Sequence, residues 1–458
     1  MSNTNKKTNK YEMDMCNGPL LSKILIFSFP LMLSGLLQLT FNAADIVVVG
    51  RFAGKEALAA LGPTSSLTNL FVNVFMGLSI GANVLVARFY GAGQKKELDD
   101  MVHTAITTAL VSGLILVVLG IGLARPALAL MDTPENVIDQ SVIYMWIYFV
   151  GMPVMMLYNF GSAILRAIGD TKRPLYYLMV AGVLNVLLNL IFVIVFHMGV
   201  AGVALATVLS QVVSAGLVIR CLILNDGSIK LDLKKLRIVP DKLFKMIRIG
   251  VPAGLQGAMF SVSNVLIQSS VNSFGYIAVA GNTAGQNIEG FVFTAMNALH
   301  QGAVSFSGQN YGARKFKRIA KIAWICELLV LVVGVILSGI ILIFSRPLLS
   351  LYSTDPEVIQ YGVNRLLIIC TTYFLCGMMD VMVGILRGMG YAIAPMIVSL
   401  TGVCAFRVVW IYTIFAKIKT LKVLYISYPV TWAITFIVQL IMFLVIYRKL
   451  KVQDIGNT

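Results

Sequence analysis

Asp45 closes a polar stripe within an otherwise apolar run. Ser34, Gln38, Asn42 and Asp45 stand at i, i+4, i+8 and i+11, which puts them on one face of a helix. An acid held in such a place can take up a proton or bind a small cation such as Na⁺; the other reading is an ion pair with Arg51 or Lys55 at the end of the run. Ser261, Asn264, Gln268 and Asn272 repeat the stripe later in the chain without an acid. Three further carboxylates, Glu289, Glu327 and Asp380, lie well inside apolar runs. Each costs at least about 2.5–3.5 kcal/mol at the centre of a bilayer, so it must face a cavity or a partner. Glu289 is placed to line a vestibule or to pack. Glu327 follows Lys321 and is expected to pair or snorkel there. Asp380 precedes Arg387 by seven residues, about two helical turns, and serves as a cavity acid or as a hydrogen-bonding residue. Asn185 and Asn189 share a face at i and i+4, as do Asn69 and Asn73; such amides either glue helices together or line a cavity. His300 reads as a packing residue, and His103 and His197 as loop-edge residues.

No enzyme constellation accompanies these residues. The chain has no P-loop and no HExxH, so nucleotide hydrolysis and zinc hydrolysis lack their core motif. The six cysteines show no metal-ligand spacing and read as small packing residues.

The elements that position the polar groups follow from composition. The chain is 58% hydrophobic and only 12% charged, against about 25% charged residues in soluble domains, so a bilayer is its solvent. Apolar runs fall at 20–48, 57–86, 101–124, 137–164, 175–197, 200–224, 247–274, 278–305, 320–344, 358–385, 394–416 and 424–447. They predict an all-α integral membrane protein of twelve transmembrane helices. Short alternating strands, the mark of a membrane barrel, are missing from the pattern.

The same punctuation occurs twice. Arg166-Ala-Ile-Gly169 with Pro174 returns 221 residues later as Arg387-Gly-Met-Gly390 with Pro395. Tyr90-Gly91-Ala92 returns as Tyr311-Gly312-Ala313, and Arg125-Pro126 as Arg346-Pro347. With a one-residue slip, Pro30 and Gly35 match Pro252 and Gly257, and Pro134-Glu135 matches Pro356-Glu357. The chain is therefore two copies of one unit, and six helices per copy make the copies parallel. The expected division is a first lobe at 1–224, a basic linker at 225–245 and a second lobe at 246–458. Pro30 and Pro252 are expected to kink the first helix of each half.

With the N-terminus inside, 27 of the 36 Lys and Arg fall on inner segments and helix ends, which predicts both termini in the cytoplasm and a cytoplasmic (plasma or inner) membrane location. The net charge of +16 is spread over loops instead of forming a patch, which argues against nucleic acid and for contact with membrane lipid. In the linker, Ile229, Leu231, Leu233, Leu236 and Ile238 interleave with Lys230, Lys234, Lys235 and Arg237. Two readings stand, an interfacial segment and a plain tether.

Several segments together resemble the MATE (multidrug and toxic compound extrusion) transporters. Ala44-Asp45-Ile-Val-Val-Val-Gly50-Arg51, followed by Ala57-Leu58-Ala59-Ala60-Leu61-Gly62, resembles their first-helix signature. Gly308-Gln309-Asn310-Tyr311-Gly312-Ala313 is similar to the turn after their eighth helix, and Leu165-Arg166-Ala-Ile-Gly169-Asp170 to the turn after the fourth. Gly199-Val-Ala-Gly202-Val-Ala-Leu-Ala206-Thr207 is similar to the start of their sixth helix. The resemblance runs from about residue 20 to 450. It implies two pseudo-symmetric six-helix bundles around a central cleft. It also implies export of organic cations or amphipathic drugs by a monomer without cofactor, coupled to H⁺ or Na⁺. Ion coupling is expected at Asp45 with Asn185, Asn189, Gln38 and Asn42, and the cleft is expected to hold Asn159, Asp380, Gln256, Asn264, Glu289 and Arg407. The family's fifth-helix Asn-x-x-x-Asp reads Asn185-Val-Leu-Leu-Asn189 here, with an amide in place of the second acid. A lipid-linked precursor flippase of the same superfamily is the alternative; it would need several cations in the cleft, and only Arg365 and Arg407 are placed as intramembrane cations.

Overall fold

The computed structural model describes residues 11–53, 55–131, 133, 135–225, 227 and 229–456. Pro134 and the side chains of Lys55 and Asn69, named above, lie outside the described residues. All regular structure among the described residues is helical. The first half holds α1 (Leu20–Ala53), α2 (Lys55–Gly91), α3 (Lys95–Leu130), α4 (Glu135–Val150 and Met152–Ala167), α5 (Lys172–Val195) and α6 (Gly199–Ile223). The second holds α7 (Pro240–Asn272), α8 (Tyr276–Gly312), α9 (Phe316–Ile343), α10 (Pro356–Cys370 and Tyr373–Gly388), α11 (Ile393–Phe415) and α12 (Leu421–Gly456). Nine of these are long and apolar enough to cross a bilayer as they stand, and the two bent pairs, α4 and α10, each count as one more. The remaining helix, α8, is diluted by Asn282, Gln286, Asn287 and Glu289.

Each apolar run became a helix, and most helices overrun it: 101–124 lies inside Lys95–Leu130. Backbone hydrogen bonding does not stop where the hydrocarbon ends, so polar first and last turns extend the span. Pro30 and Pro252 lie inside unbroken helix in α1 and α7, and sharp bends fall in α4 and α10, at 48° and 47°. The α4 bend lies at Gly151, just before Pro153, which has no N–H to give to the preceding turn. The α10 bend lies at Thr371-Thr372.

The duplication is carried into backbone detail. Helix starts at Lys55, Lys95, Glu135, Met152 and Lys172 recur at Tyr276, Phe316, Pro356, Tyr373 and Ile393, all 221 residues on. Gly169 and Gly390 both take positive φ (95° and 89°). Gly93 (φ 68°) is matched by Arg314 (φ 54°), so the second copy keeps the left-handed turn with a residue that pays for it in strain. Packing repeats as well: a Cβ on Gly113 would lie 2.3 Å from Pro153 Cα, and one on Gly334 would lie 3.0 Å from Phe374 Cβ, the same pair of positions in each copy.

The chain packs as two compact units. One comprises the described part of Met1–Pro19 with Leu37–Gly250, and the other comprises Leu20–Leu36 with Val251–Thr458. In the second unit the start of α1 lies on α8, where Phe27 meets Phe306 edge-to-face at 5.5 Å and Gly302 leaves room for Ser28. In the first unit the linker is docked. Ile229 and Leu231 are 1% exposed, and Asp232 caps a 3₁₀ turn at Leu233–Lys235. His103 Nε2 accepts the Asp232 N–H at 3.1 Å, and Thr104 Oγ1 accepts the Val239 N–H at 3.1 Å. Arg237 and Lys242 pair with Asp100 and Glu97 of α3. His103 is thus a buried linker anchor, not a loop-edge residue.

Glycine contacts of this kind predict a graded response. Gly113→Val must displace the Pro153 backbone, and we expect it to cost about 1–3 kcal/mol. Gly122→Ala, with nothing within 4 Å of its new Cβ, is expected to be neutral or stabilising by up to about 1 kcal/mol. Thermal unfolding of the purified variants reads both effects, and equal midpoints would refute the packing account.

Candidate functional site

In the first unit α1, α5 and α6 converge on one part-buried polar chain. Gly182, Asn185 and Asn189 share a face of α5 at i, i+3 and i+7. Phe41 and Asp45 share a face of α1 at i and i+4. Gly182 carries no side chain, and its ideal Cβ would sit 1.8 Å from the Phe41 ring; that close approach sets the distance at which α5 meets α1. One turn on, Asn189 Nδ2 donates to Asp45 Oδ1. The same Nδ2 reaches Asn185 Oδ1 at 3.3 Å, and Asn185 Nδ2 donates to Thr207 Oγ1 of α6 at 3.4 Å. Thr207 in turn gives its proton to Val203 O at 3.0 Å. Beyond the chain a cluster of Val48, Val49, Val137, Val193, Val200 and Val203 closes the unit.

Both helices change their winding just past these groups. α1 becomes π-helical over Val49–Ala53 and α5 over Ile191–Val195. Single π turns of this kind concentrate at functional sites, because they free or re-aim polar groups. Asn189 Oδ1 is buried and has no hydrogen-bond partner. Carboxylate and amide oxygens are donors of the kind hard cations prefer. Asp45 alone is also able to take a proton.

The other residues expected at this site do not join the chain. Gln38 and Asn42 are exposed, and Ser34 bonds its own helix at Pro30 O, 2.8 Å away. Arg51 forms no ion pair with Asp45 among the described residues. Thr207 was overlooked as a partner; it was legible only as a hydroxyl at the start of a small-residue helix.

In the second unit the buried charge is organised around arginines. Gly281, Gly285 and Glu289 share a face of α8, and the two glycines bring α10 close; a Cβ on Gly281 would lie 2.6 Å from Val358 O. Arg365 of α10 then binds Glu289 through two parallel bonds, Nε to Oε1 at 2.9 Å and Nη2 to Oε2 at 2.8 Å. Its Nη1 donates to Asn282 Oδ1 at 2.7 Å, which also accepts Tyr425 O–H at 3.0 Å. Both Glu289 oxygens are therefore taken up inside the unit. Asn282 and Tyr425 were not singled out from sequence.

The remaining candidates are scattered. Gln256 Oε1 accepts Arg387 Nη2 at 2.8 Å. Asp380 is part-buried; its backbone carbonyl lies 2.6 Å from His300 Nδ1. Asn159 turns back on Met155 O at 2.7 Å, and Asn264 is exposed. Arg407 is 4% exposed, and its guanidinium lies 4.1 Å above the Tyr428 ring. Glu327 corrects the expectation of a pair with Lys321. Both its oxygens are buried without a partner while Lys321 is exposed, because the acid faces the packed side of α9 and the lysine does not.

The Arg365–Glu289 pair generates a stability test. Glu289→Ala leaves a buried guanidinium uncompensated and is expected to cost about 3–5 kcal/mol. Glu289→Leu combined with Arg365→Met removes both charges and should recover most of that loss. A double-mutant cycle on unfolding midpoints measures the coupling, and additive losses would show that the pair contributes nothing.

The chain matches the MatE family model twice, at residues 30–191 and 252–413, one match in each copy of the repeat. It is 28% identical over 419 residues to the probable multidrug resistance protein YoeA of Bacillus subtilis, covering 90% of each chain. It is 25% identical over 395 residues to the FAD transporter of Shewanella oneidensis, covering 84% of this chain and 86% of the relative. Its fold superposes with a TM-score of 0.90 on a solved outward-facing multidrug resistance MATE transporter of the MOP superfamily, at 21% identity over 97% of this chain and all of the other. With both halves matched and the architecture shared end to end, the chain belongs to the MatE family of membrane transporters.

Proposed function

We propose that this protein is a secondary active multidrug exporter. It carries organic cations or other amphipathic drugs out of the cell by antiport with H⁺ or Na⁺, its halves alternating between inward- and outward-open states. The carrying observation is the Asp45–Asn189–Asn185–Thr207 chain with its unpartnered Asn189 oxygen. Binding an ion there changes the charge at the junction of three helices and so shifts the balance between conformations. One charge moving through 100 mV supplies about 2.3 kcal/mol. At about 1.4 kcal/mol per tenfold, one ion supports a drug gradient of some tens-fold.

Relatives named as probable multidrug resistance proteins support the drug cargo, and the relative named an FAD transporter marks that cargo differs among relatives. The distribution of Lys and Arg supports a cytoplasmic membrane location with both termini inside. The protein acts as a monomer, with membrane lipid as its surroundings and no cofactor beyond the coupling ion. The alternative of a lipid-linked precursor flippase loses ground, because Arg365 is neutralised by Glu289 and a pyrophosphate needs more than one free cation.

The test is export of the fluorescent lipophilic cation rhodamine 123 in everted vesicles, with an imposed H⁺ or Na⁺ gradient. Asp45→Asn should abolish ion-driven export. Asn189→Ala should slow it about tenfold, the scale of one hydrogen bond to a charged group. Full ion-driven export by Asp45→Asn would overturn the coupling role.

A further inference from the structure

Arg407 is a buried cation without a counter-charge. It sits in α11 on a five-residue α-helical segment, Phe406–Trp410, between π-helical turns at Leu400–Ala405 and Ile411–Phe415. It is 4% exposed and forms no ion pair among the described residues. Its Nε donates to Thr431 Oγ1 at 3.3 Å. Its guanidinium lies over the Tyr428 ring at 4.1 Å, with the Trp432 ring at 6.0 Å. Tyr428 and Trp432 are themselves buried and meet edge-to-face at 5.5 Å. A guanidinium presents five N–H donors in a fixed fork, and only Nε–H has a partner. The two terminal nitrogens have no hydrogen-bond partner among the described residues and do not belong to the fully buried unpartnered atoms.

The duplication sharpens the contrast. Adding 221 to Thr207 gives Tyr428, and adding it to Val186, the neighbour of Asn185, gives Arg407. The junction at which α5 bonds α6 in the first half is thus matched, one residue further along the helix, by the junction at which Arg407 stacks on Tyr428 in the second. The first copy holds an acid and two amides there. The second holds a cation and aromatic rings, with no acid. Aromatic faces soften the cost of a desolvated guanidinium by about 2 kcal/mol, but they do not neutralise it. The missing counter-charge fits an oxyanion that arrives from outside the chain.

We propose that Arg407, with Thr431, Tyr428 and Trp432, is a binding subsite for the oxyanion, carboxylate or phosphate, of an amphipathic aromatic molecule. The guanidinium fork takes the two oxygens side by side, and the neighbouring rings take the apolar body. The subsite deepens the proposed export function and rests on it for its physiological meaning. It places zwitterions and organic anions among the cargo, beside cations.

The test uses the full chain in phosphatidylcholine nanodiscs and two dyes, rhodamine 110 and rhodamine 123. The second is the methyl ester of the first, so they differ in one carboxylate. Fluorescence anisotropy gives the ratio of their affinities. The acid is expected to bind the wild type about tenfold tighter than the ester, about 1.4 kcal/mol. Arg407→Gln should bring that ratio to about one, and Arg407→Lys should keep part of it. A wild-type ratio of one overturns the subsite whatever the variants do, and so does an unchanged ratio in an Arg407→Gln protein with a wild-type unfolding midpoint. Nanodiscs containing phosphatidylglycerol separate the two sources of the oxyanion. If they lower the ratio in wild type but not in Arg407→Gln, a lipid headgroup competes for the fork; if they leave it unchanged, the fork serves the dissolved molecule. Ion-driven export of rhodamine 123 is a separate readout: its failure with a retained acid preference strikes the antiport reading alone.

Discussion

A charge inside a bilayer has no water to lean on, and that constraint organises the interior of this protein. Desolvating a carboxylate or a guanidinium costs several kcal/mol unless fixed partners replace the lost hydration. The chain meets the demand in different ways. Glu289 and Arg365 neutralise each other through two parallel bonds, with Asn282 and Tyr425 completing the network. Asp45 takes an amide from Asn189 in place of a cation. Arg387 leans on Gln256, and Arg407 on aromatic rings and a hydroxyl. Glu327 has no partner at all. The fully paired site fastens three helices together, and the partly paired ones are where an incoming ion or molecule has something to gain.

Close backbone approach is what lets those partners meet. Each paired site is preceded on its helix by glycine at helical spacing: Gly182 before Asn185 and Asn189, Gly281 and Gly285 before Glu289. Without side chains at these positions, Phe41 and the α10 backbone come within contact, and the polar groups one turn further along fall into hydrogen-bond range. In a membrane, where apolar surface is not driven together by water, such small-residue contacts carry much of the helix association. The glycines thus act as spacers for the chemistry as well as for the fold.

Much of this frame was legible in the sequence because its signals are local. Twelve apolar runs became twelve helices, and glycine, proline and arginine at element ends marked the repeat, whose 221-residue offset reappears in helix starts and backbone turns. The bends in α4 and α10 were not legible, since both runs stay apolar across Gly151 and Thr371. The partners were harder still. Asn189 is 144 residues from Asp45, and Arg365 is 76 from Glu289, so only the packed fold tells which amide or arginine meets which acid. The polar stripe from Ser34 to Asp45 was real as a helix face, but Gln38 and Asn42 on it are exposed and only Asp45 meets α5. The docked linker was half-visible: Ile229 and Leu231 alternate with polar residues as a buried edge would, but nothing local pointed to His103 as its anchor.

Duplication supplies two copies of one geometry and leaves their chemistry free to diverge. The backbone has used little of that freedom: bends of 48° and 47° stand at matching positions, and the π turn that ends α5 returns in α11 within one residue, with a second π turn added at Leu400–Ala405. The side chains have used it fully. At the junction of α5 with α6 the fold holds an acid and amides, and at the junction of α11 with α12 it holds a cation and aromatic rings. A carrier whose two halves bound the same thing in the same way would have no reason to treat an ion and its cargo differently. Opposite polarity at equivalent positions removes that degeneracy. In the proposed mechanism a cation has one place to act and an oxyanion another, so the two binding events are told apart by charge while the frame that must move stays nearly symmetric.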